Sequence, residues 1–264
     1  MPSRLGLRTV ALGYLVVILL APLGMVFYRT FESGLHPVWQ TLSDPDTLHA
    51  FQVTLIATAI AVPLNTVFGV LCALAIVRRR FRGKGILNAF IDLPLAVSPV
   101  VIGLCLFLLY GRTGWFGSWF LGHGIQILFA LPAIVLATVF VSVPFVAREV
   151  IPTLRELGHE QEQAAATLGA NRRQRFWRIT LPSIRWAVIY GVVLTTARCL
   201  GEYGAVAVVS GRIIGSTETA TTRVEDLTLA FNTTGAYAVS LVLATIAVLV
   251  LIAMTVLRPR EETV

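Results

Sequence analysis

The sequence predicts an all-α, polytopic membrane protein with six transmembrane helices. Of its 264 residues, 56% are hydrophobic and 13% are charged, with a mean hydropathy of +0.79. A soluble domain carries about 25% charged residues, so a water-soluble core of ordinary size is too small for this apolar content. Apolar runs of roughly 20 residues, the length that crosses a bilayer, recur along the chain. Basic residues cluster at the ends of these runs, which indicates membrane topology rather than nucleic-acid binding despite the net charge of +7.

The six predicted spans cover about residues 9–27, 48–77, 86–109, 125–147, 184–209 and 236–257. A signal peptide is the alternative interpretation of the first run. The apolar core of a signal peptide is about 7–15 residues long and ends at a small-x-small cleavage site. Here the run is longer and no Ala-x-Ala site ends it, so we interpret it as an uncleaved helix. The second span contains Pro63, and the third contains Asp92, Pro94 and Pro99. Neighbouring groups satisfy the carbonyls that a proline frees inside a membrane, so these prolines are compatible with spans.

The loops between the spans differ in charge. The amino terminus, the second loop, the fourth loop with the adjoining Arg185, and the carboxyl terminus hold 16 of the 21 Lys and Arg residues, and the other loops hold four. Because positive residues remain on the cytoplasmic side, this asymmetry places both termini and the fourth loop in the cytoplasm. The third loop, residues 110–124, is rich in Gly and Trp, which is typical of an interfacial turn.

The fourth loop, residues 148–183, is predicted to be a helical elbow, two short helices joined by a turn. Residues 156–168 are rich in Glu, Gln, Ala and Leu, which are strong helix formers. Gly169 is placed to end this helix in a left-handed conformation, and Asn171 is placed to cap the next one. Pro182 is expected to end that second helix, because proline lacks an amide donor and restricts the residue before it.

This elbow resembles the EAA motif of ABC-importer permeases. In that motif, Glu-Ala-Ala is followed after three residues by Gly, then after nine residues by Ile, and then after one residue by Leu-Pro. Six of the seven motif positions match, and the first is Gln where the family usually has Glu, with Glu162 one residue earlier. The positions that carry the resemblance are Gln163, Ala164, Ala165, Gly169, Ile179, Leu181 and Pro182.

A second resemblance lies at the end of the fifth span. Residues 197–205 read Ala-Arg-Cys-Leu-Gly-Glu-Tyr-Gly-Ala. This is similar to the Ala-Arg-x-x-Gly-Glu-Phe/Tyr-Gly-Ala run of permeases for tetrahedral oxyanions, the sulfate/thiosulfate and molybdate importers. Residues 208–211 and 215–217 most resemble the W-type subunit of the sulfate/thiosulfate system. The T-type sister subunit and the molybdate permease share the Gly-Glu-aromatic-Gly run, so molybdate or another oxyanion remains an alternative substrate.

The resemblance implies the type I (MetI-like) permease fold and a role as the transmembrane subunit of an ATP-driven sulfate/thiosulfate importer in the cell membrane. It implies a sister permease subunit, a dimer of cytoplasmic ATP-binding subunits that receives the elbow, and a periplasmic or lipid-anchored sulfate-binding protein. ATP and Mg²⁺ are expected on the ATPase and no cofactor on this chain, which has no GxxxxGK[ST] motif. Without HExxH or GxSxG, neither a catalytic residue nor a metal site is expected. A secondary transporter is the alternative outside the family, and a membrane enzyme lacks the polar cluster it would need.

Charged side chains inside a span are costly and therefore candidates for function. Arg198 lies about 14 residues into the fifth span, roughly 21 Å along a helix, in the outer half of the membrane. Arg198 and Glu202 are four residues apart and can pair. With Tyr203 they are the candidate residues of a translocation path, and the alternative is a self-neutralising pair that locks helix packing. Asp92, near the cytoplasmic end of its span, is expected to be a polar anchor or the partner of a nearby arginine.

Overall fold

The structure is a computed structural model that describes residues 2–257, and over that range its regular elements are all helices. Arg258 and Arg260, which the charge count assigns to the carboxyl terminus, lie outside the described residues. The helices are α1 (Pro2–Phe31), α2 (Leu35–Leu42), α3 (Pro45–Arg78), α4 (Lys84–Ala96), α5 (Pro99–Tyr110), α6 (Gly117–Gly122), α7 (Leu131–Glu156), α8 (Glu160–Thr167), α9 (Arg172–Arg175), a π-helical turn (Phe176–Thr180), α10 (Leu181–Leu200), α11 (Gly204–Val209), α12 (Ala220–Leu229) and α13 (Thr233–Leu257).

Five helical segments within residues 2–257 are long and apolar enough to cross a membrane. They belong to α1, α3, α7, the continuous run from α9 to α10, and α13. The pair α4 and α5 passes the same test together, which gives six segments if that pair is counted as one span. The prediction of an all-α, polytopic membrane fold is therefore confirmed.

The third predicted span, residues 86–109, is wrong as a single helix. The helices α4 and α5 meet at an angle of 111°. Between them, Val97 and Ser98 are extended, with ψ of 136° each. Pro99 explains this conformation, because its ring excludes the residue before it from the helical region. The segment is therefore a broken span or a re-entrant loop.

The fifth predicted span, residues 184–209, is wrong at both ends. Helix runs from Arg172 through the π-helical turn into α10, and it ends at Leu200. Leu181 stays helical, with φ −64° and ψ −45°, so Pro182 does not break the helix as expected. Pro182 lies in the first turn of α10. A π-helical turn directly before it widens the backbone where the proline ring would otherwise press on the preceding carbonyl.

The core is centred on α7, which packs against α3, α10, α4 and α11. Two glycines allow the closest approaches: a Cβ on Gly69 would lie 2.8 Å from Cβ of Val146, and one on Gly191 would lie 2.8 Å from its Cα. A polar contact reinforces the same packing, because Asn65 Nδ2 donates to Ser142 Oγ at 2.7 Å. Small residues and side-chain hydrogen bonds are the usual means by which membrane helices associate, since lipid is as apolar as the helices themselves.

We expect Gly191→Ala to lower the thermal unfolding midpoint of the protein purified in detergent. The added methyl group presses on the α7 backbone at Val146, and overpacking of a close contact costs about 1–3 kcal/mol. Gly24→Ala is the matched control, because nothing lies within 4 Å of a Cβ at Gly24. Alanine is also the better helix former, so the control should unfold at the same or a higher temperature. Equal midpoints for the two variants would contradict the close packing of α10 on α7.

Candidate functional site

The elbow predicted between the fourth and fifth spans has a defined backbone at its turn. Gly169 ends α8 with φ 85°, and the amide of Ala170 donates to the Ala165 carbonyl at 2.9 Å. Asn171 caps the next helix through a reciprocal pair of hydrogen bonds with Gln174, at 2.8 and 2.9 Å. The left-handed glycine and the asparagine cap are therefore where the sequence predicts them, because both follow from local backbone rules.

The elbow presents small and apolar groups to its surroundings. Gln163 and Ala164 are exposed, and Leu168 is 88% exposed. A cleft of about 420 Å³ lies between α8 and the following helix, with Ala165 and Ile179 in its wall. Leu168 is not among the predicted elbow residues, although an apolar residue directly before the turn glycine was the available signal.

The last two motif residues lie in the first turn of α10 and differ in burial. Leu181 packs against the core cluster of α3 and α7, whereas Pro182 is exposed. Leu181 is therefore the motif residue that holds the start of α10 on the core.

Glu162 connects the elbow to the carboxyl-terminal end of α3. Its Oε1 lies 3.1 Å from Nη2 of Arg78 and accepts a hydrogen bond from Thr180 Oγ1 at 2.8 Å. Arg78 also donates to the Gly158 carbonyl at 2.5 Å. The two side chains are only 14% and 20% exposed, so solvent weakens this contact less than a surface ion pair. Arg78 was counted only among the basic residues that indicate membrane topology, because nothing in the spacing of residues 78 and 162 indicates a contact.

Asp92 has the arginine partner that the sequence predicts. Its Oδ1 lies 2.6 Å from Nη2 of Arg148 and accepts a hydrogen bond from Nε of the same guanidinium at 2.7 Å. This contact joins α4 to the carboxyl-terminal half of α7.

Arg198 and Glu202 form the predicted pair, with 2.7 Å between Nη1 and Oε2. Glu202 lies beyond the end of α10, so the two residues do not share one helix. The Glu202 side chain is 2% exposed, and its Oε1 accepts a hydrogen bond from the Ala205 amide at 2.9 Å. The pair therefore holds the start of α11 against the end of α10, which is the packing role that the sequence left open beside a path role.

Tyr203 belongs to a different polar group, which it forms with Arg212 and with Glu225 of α12. Its hydroxyl donates to Glu225 Oε2 at 2.5 Å and accepts from Arg212 Nη2 at 3.3 Å. Arg212 also forms an ion pair with Glu225, with 2.8 Å between its Nη1 and the Glu225 carboxylate. The sequence did not indicate Arg212 and Glu225 as partners of Tyr203, because no spacing rule relates residue 203 to residue 212 or to residue 225 in α12.

Another arginine, Arg223, connects the same region to α3. Arg223 Nη2 lies 2.6 Å from Oδ2 of Asp44, the residue that caps the amino terminus of α3. Its Nη1 lies 3.5 Å from Glu218, which is fully buried. Burial raises the pKa of Glu218 to about 7, and the nearby Arg223 works in the opposite direction. The arrangement fixes α12 on the amino-terminal end of α3.

Comparison with known proteins gives one family. Residues 65–263 match the family described as "Binding-protein-dependent transport system inner membrane component". The chain is 49% identical over 254 residues to the sulfate transport system permease protein CysW of Synechocystis, covering 96% of this chain and 92% of that protein. It is 45% identical to CysW of Escherichia coli K12, covering 96% and 88%. It is 35% identical to the sulfate transport system permease protein CysT of the same organism, covering 96% and 92%.

The fold has a counterpart among solved structures. A crystal structure of a bacterial alginate ABC transporter, in complex with an alginate-bound periplasmic protein, contains a chain that superposes with a TM-score of 0.79. The match covers 98% of this chain and 94% of that chain at 16% sequence identity. At this identity the match concerns the fold alone.

We expect Arg198→Gln to destabilise the protein more than Glu202→Gln, and the double variant to recover part of the loss. Arg198→Gln leaves a buried carboxylate without its counter-charge, a change that costs roughly 3 kcal/mol. Glu202→Gln keeps an acceptor for the Ala205 amide and leaves an arginine that is 30% exposed to water. A double-mutant cycle of unfolding free energies in detergent measures the coupling. Additive effects of the two changes would show that the pair does not lock α10 to α11.

Proposed function

The chain belongs to the family of inner-membrane components of binding-protein-dependent transport systems, and from that premise we propose that it is the permease subunit of an ATP-driven sulfate/thiosulfate importer. The observation that carries the proposal is the identity of 45–49% to sulfate transport permeases over 96% of the chain. The chain is a multi-pass membrane protein, in keeping with its apolar helices. We place it in the inner or plasma membrane with both termini in the cytoplasm, on the basis of its charge asymmetry.

The energy source in this proposal is a separate ATPase. The sequence has no GxxxxGK[ST] motif, and so the permease is assigned no catalytic step of its own. ATP and Mg²⁺ bind to a dimer of cytoplasmic ATP-binding subunits, one of which receives the elbow. The exposed Leu168 and the cleft beside it supply an apolar contact for that docking. A sister permease of the CysT type forms the other half of the pore, and a sulfate-binding protein delivers the anion from outside.

The helix geometry gives the elbow a direct way to move the membrane part. No break interrupts the helix between Arg172 and Leu200, so a displacement of the elbow is passed to α10 as a rigid rod. The Arg78–Glu162 contact passes the same displacement to α3. At the far end of α10, the Arg198–Glu202 pair connects it to α11. A rigid-body motion of the ATPase is thereby converted into a tilt of several helices at once.

We propose that the outer end of the path runs beside Arg198, Glu202 and Tyr203. Arg198 keeps about a third of its side chain accessible, while Glu202 neutralises most of its charge. A dianion in such a path has part of its desolvation cost offset, and yet it is not bound so tightly that it fails to leave. Selectivity then belongs mainly to the binding protein. The neighbouring Arg212, held by Tyr203 and Glu225, adds a second partly exposed cation on that side.

The substrate assignment is tested by uptake into proteoliposomes that contain this chain, its sister permease and the ATPase. Labelled sulfate should accumulate only with ATP and the binding protein, and vanadate should abolish the uptake. Unlabelled thiosulfate should compete more strongly than molybdate. Stronger competition by molybdate would move the chain to the molybdate importers. Uptake that survives vanadate and collapses with an uncoupler would instead identify a secondary transporter.

The docking role is tested by Leu168→Asp. Because Leu168 is 88% exposed, the change should leave folding and membrane insertion intact. A charge buried at the docking contact is costly, so we expect a tenfold or greater loss of ATPase co-purification, corresponding to about 1.4 kcal/mol or more. Ala165→Glu, in the cleft wall, should act in the same direction.

Leu229→Asp is the matched control for this experiment. Leu229 is 66% exposed at the end of α12, in the loop assigned to the opposite side of the membrane. ATPase co-purification should therefore be unchanged. If Leu168→Asp and Leu229→Asp retain equal amounts of ATPase, the elbow is not the docking element.

A further inference from the structure

A cleft lies beside the Arg78–Glu162 contact, and the coupling mechanism above uses that contact but not the space within the cleft. It has a volume of about 410 Å³ and lies between the carboxyl-terminal end of α3 and the helix that begins at Arg172. Pockets of this size are typical of small-ligand sites. Four arginines line it, two from each element: Arg78, Arg79, Arg172 and Arg175.

The charge in this cleft is unbalanced. Glu162 is the one acidic residue in its wall, and Arg78 and Thr180 already use the Oε1 of that carboxylate. Within the described part of the chain, the side chains of Arg79, Arg172 and Arg175 have no ion-pair or hydrogen-bond partner. Like charges gathered around one space raise each other's energy unless an anion lies between them.

Two of the guanidinium groups carry buried donors that none of the residues described by the structure satisfies. The Nε atoms of Arg78 and Arg175 are both shielded from solvent and lack a hydrogen-bond partner. An unsatisfied buried donor costs free energy, and for a charged group the cost is larger. Most such groups in native proteins have a partner, so these two point to a bound group with acceptor oxygens.

We propose that this cleft binds an oxyanion, the sulfate or phosphate group of a free ion or of an anionic lipid headgroup. Planar guanidinium groups match tetrahedral oxyanions through paired N–H donors, which makes arginine the usual residue for this recognition. The apolar wall, formed by Leu74 and Phe176, offers a lipid acyl chain a place beside the same arginines. The anion lies next to the Arg78–Glu162 contact, so its occupancy bears on how firmly the elbow is held to α3.

The experiment uses the full chain in nanodiscs of neutral phosphatidylcholine, and the cleft variants separate this site from the translocation path, where sulfate is also proposed to pass. Sodium sulfate and inorganic phosphate are titrated against sodium chloride of equal ionic strength, and the thermal unfolding midpoint is followed. A parallel series replaces part of the neutral lipid by phosphatidylglycerol, with native mass spectrometry to count retained lipid. A midpoint that rises with sulfate or phosphate in neutral lipid identifies the ligand of the cleft as a free ion. A rise only with phosphatidylglycerol, together with retained lipid, assigns a headgroup.

Substitutions of the cleft arginines test whether the stabilisation arises from binding in this cleft. Arg172→Gln/Arg175→Gln should weaken the apparent affinity about tenfold or more, as expected for the loss of charge-assisted hydrogen bonds. Arg79→Gln, on the α3 side, should weaken it too, and it is exposed enough to leave the fold intact. Arg173→Gln is the matched control, because Arg173 is exposed in the same helix and does not line the cleft.

Two results would overturn the proposal. One is a stabilisation by sulfate, phosphate or phosphatidylglycerol that is the same in the double variant and in the parent chain. The other is seen in the assembled importer, if Arg172→Gln/Arg175→Gln loses the ATPase while Arg173→Gln retains it. In that case the arginines meet an acidic group of the ATPase rather than an oxyanion.

Discussion

The contact between Arg78 and Glu162 is the interaction on which the elbow end of the molecule depends. It brings together three elements that are far apart in the chain: the end of α3, the elbow helix α8 and, through Thr180, the π-helical turn. Because both side chains are largely shielded, the contact resists competition from water and salt more than a surface pair does. The elbow is therefore part of the folded body and not a loose loop between two spans.

The opposite end of α3 is held by the same chemistry. Asp44 caps its amino terminus and pairs with Arg223 of α12, and Arg223 also faces the buried Glu218. At 34 residues, α3 is the longest helix among those described. One element thus has an arginine–carboxylate contact near each end, and α7 packs along its middle. Loops on the two sides of the molecule are connected through this single rigid rod.

Local rules predicted the parts of this structure that depend on a few neighbouring residues. The left-handed Gly169 and the capping Asn171 belong to that class, since a short stretch of backbone decides both. Prolines were less predictable, because their effect depends on what surrounds the freed carbonyls. Pro99 coincides with a sharp break, whereas Pro182 lies in a continuous helix. The arginine contacts with Glu162 and Asp44 join residues distant in sequence, and no spacing rule indicates them.

The five-residue π-helical turn before α10 sets the angle of the elbow about the α10 axis. A π-helical turn accommodates one residue more than the α-helix around it, and each α-helical residue turns the chain by about 100°. The direction in which the elbow points around the α10 axis is consequently encoded in the length of residues 176–180. If two chains had identical elbows and identical spans, but one of them had one residue fewer here, their elbows would point in different directions.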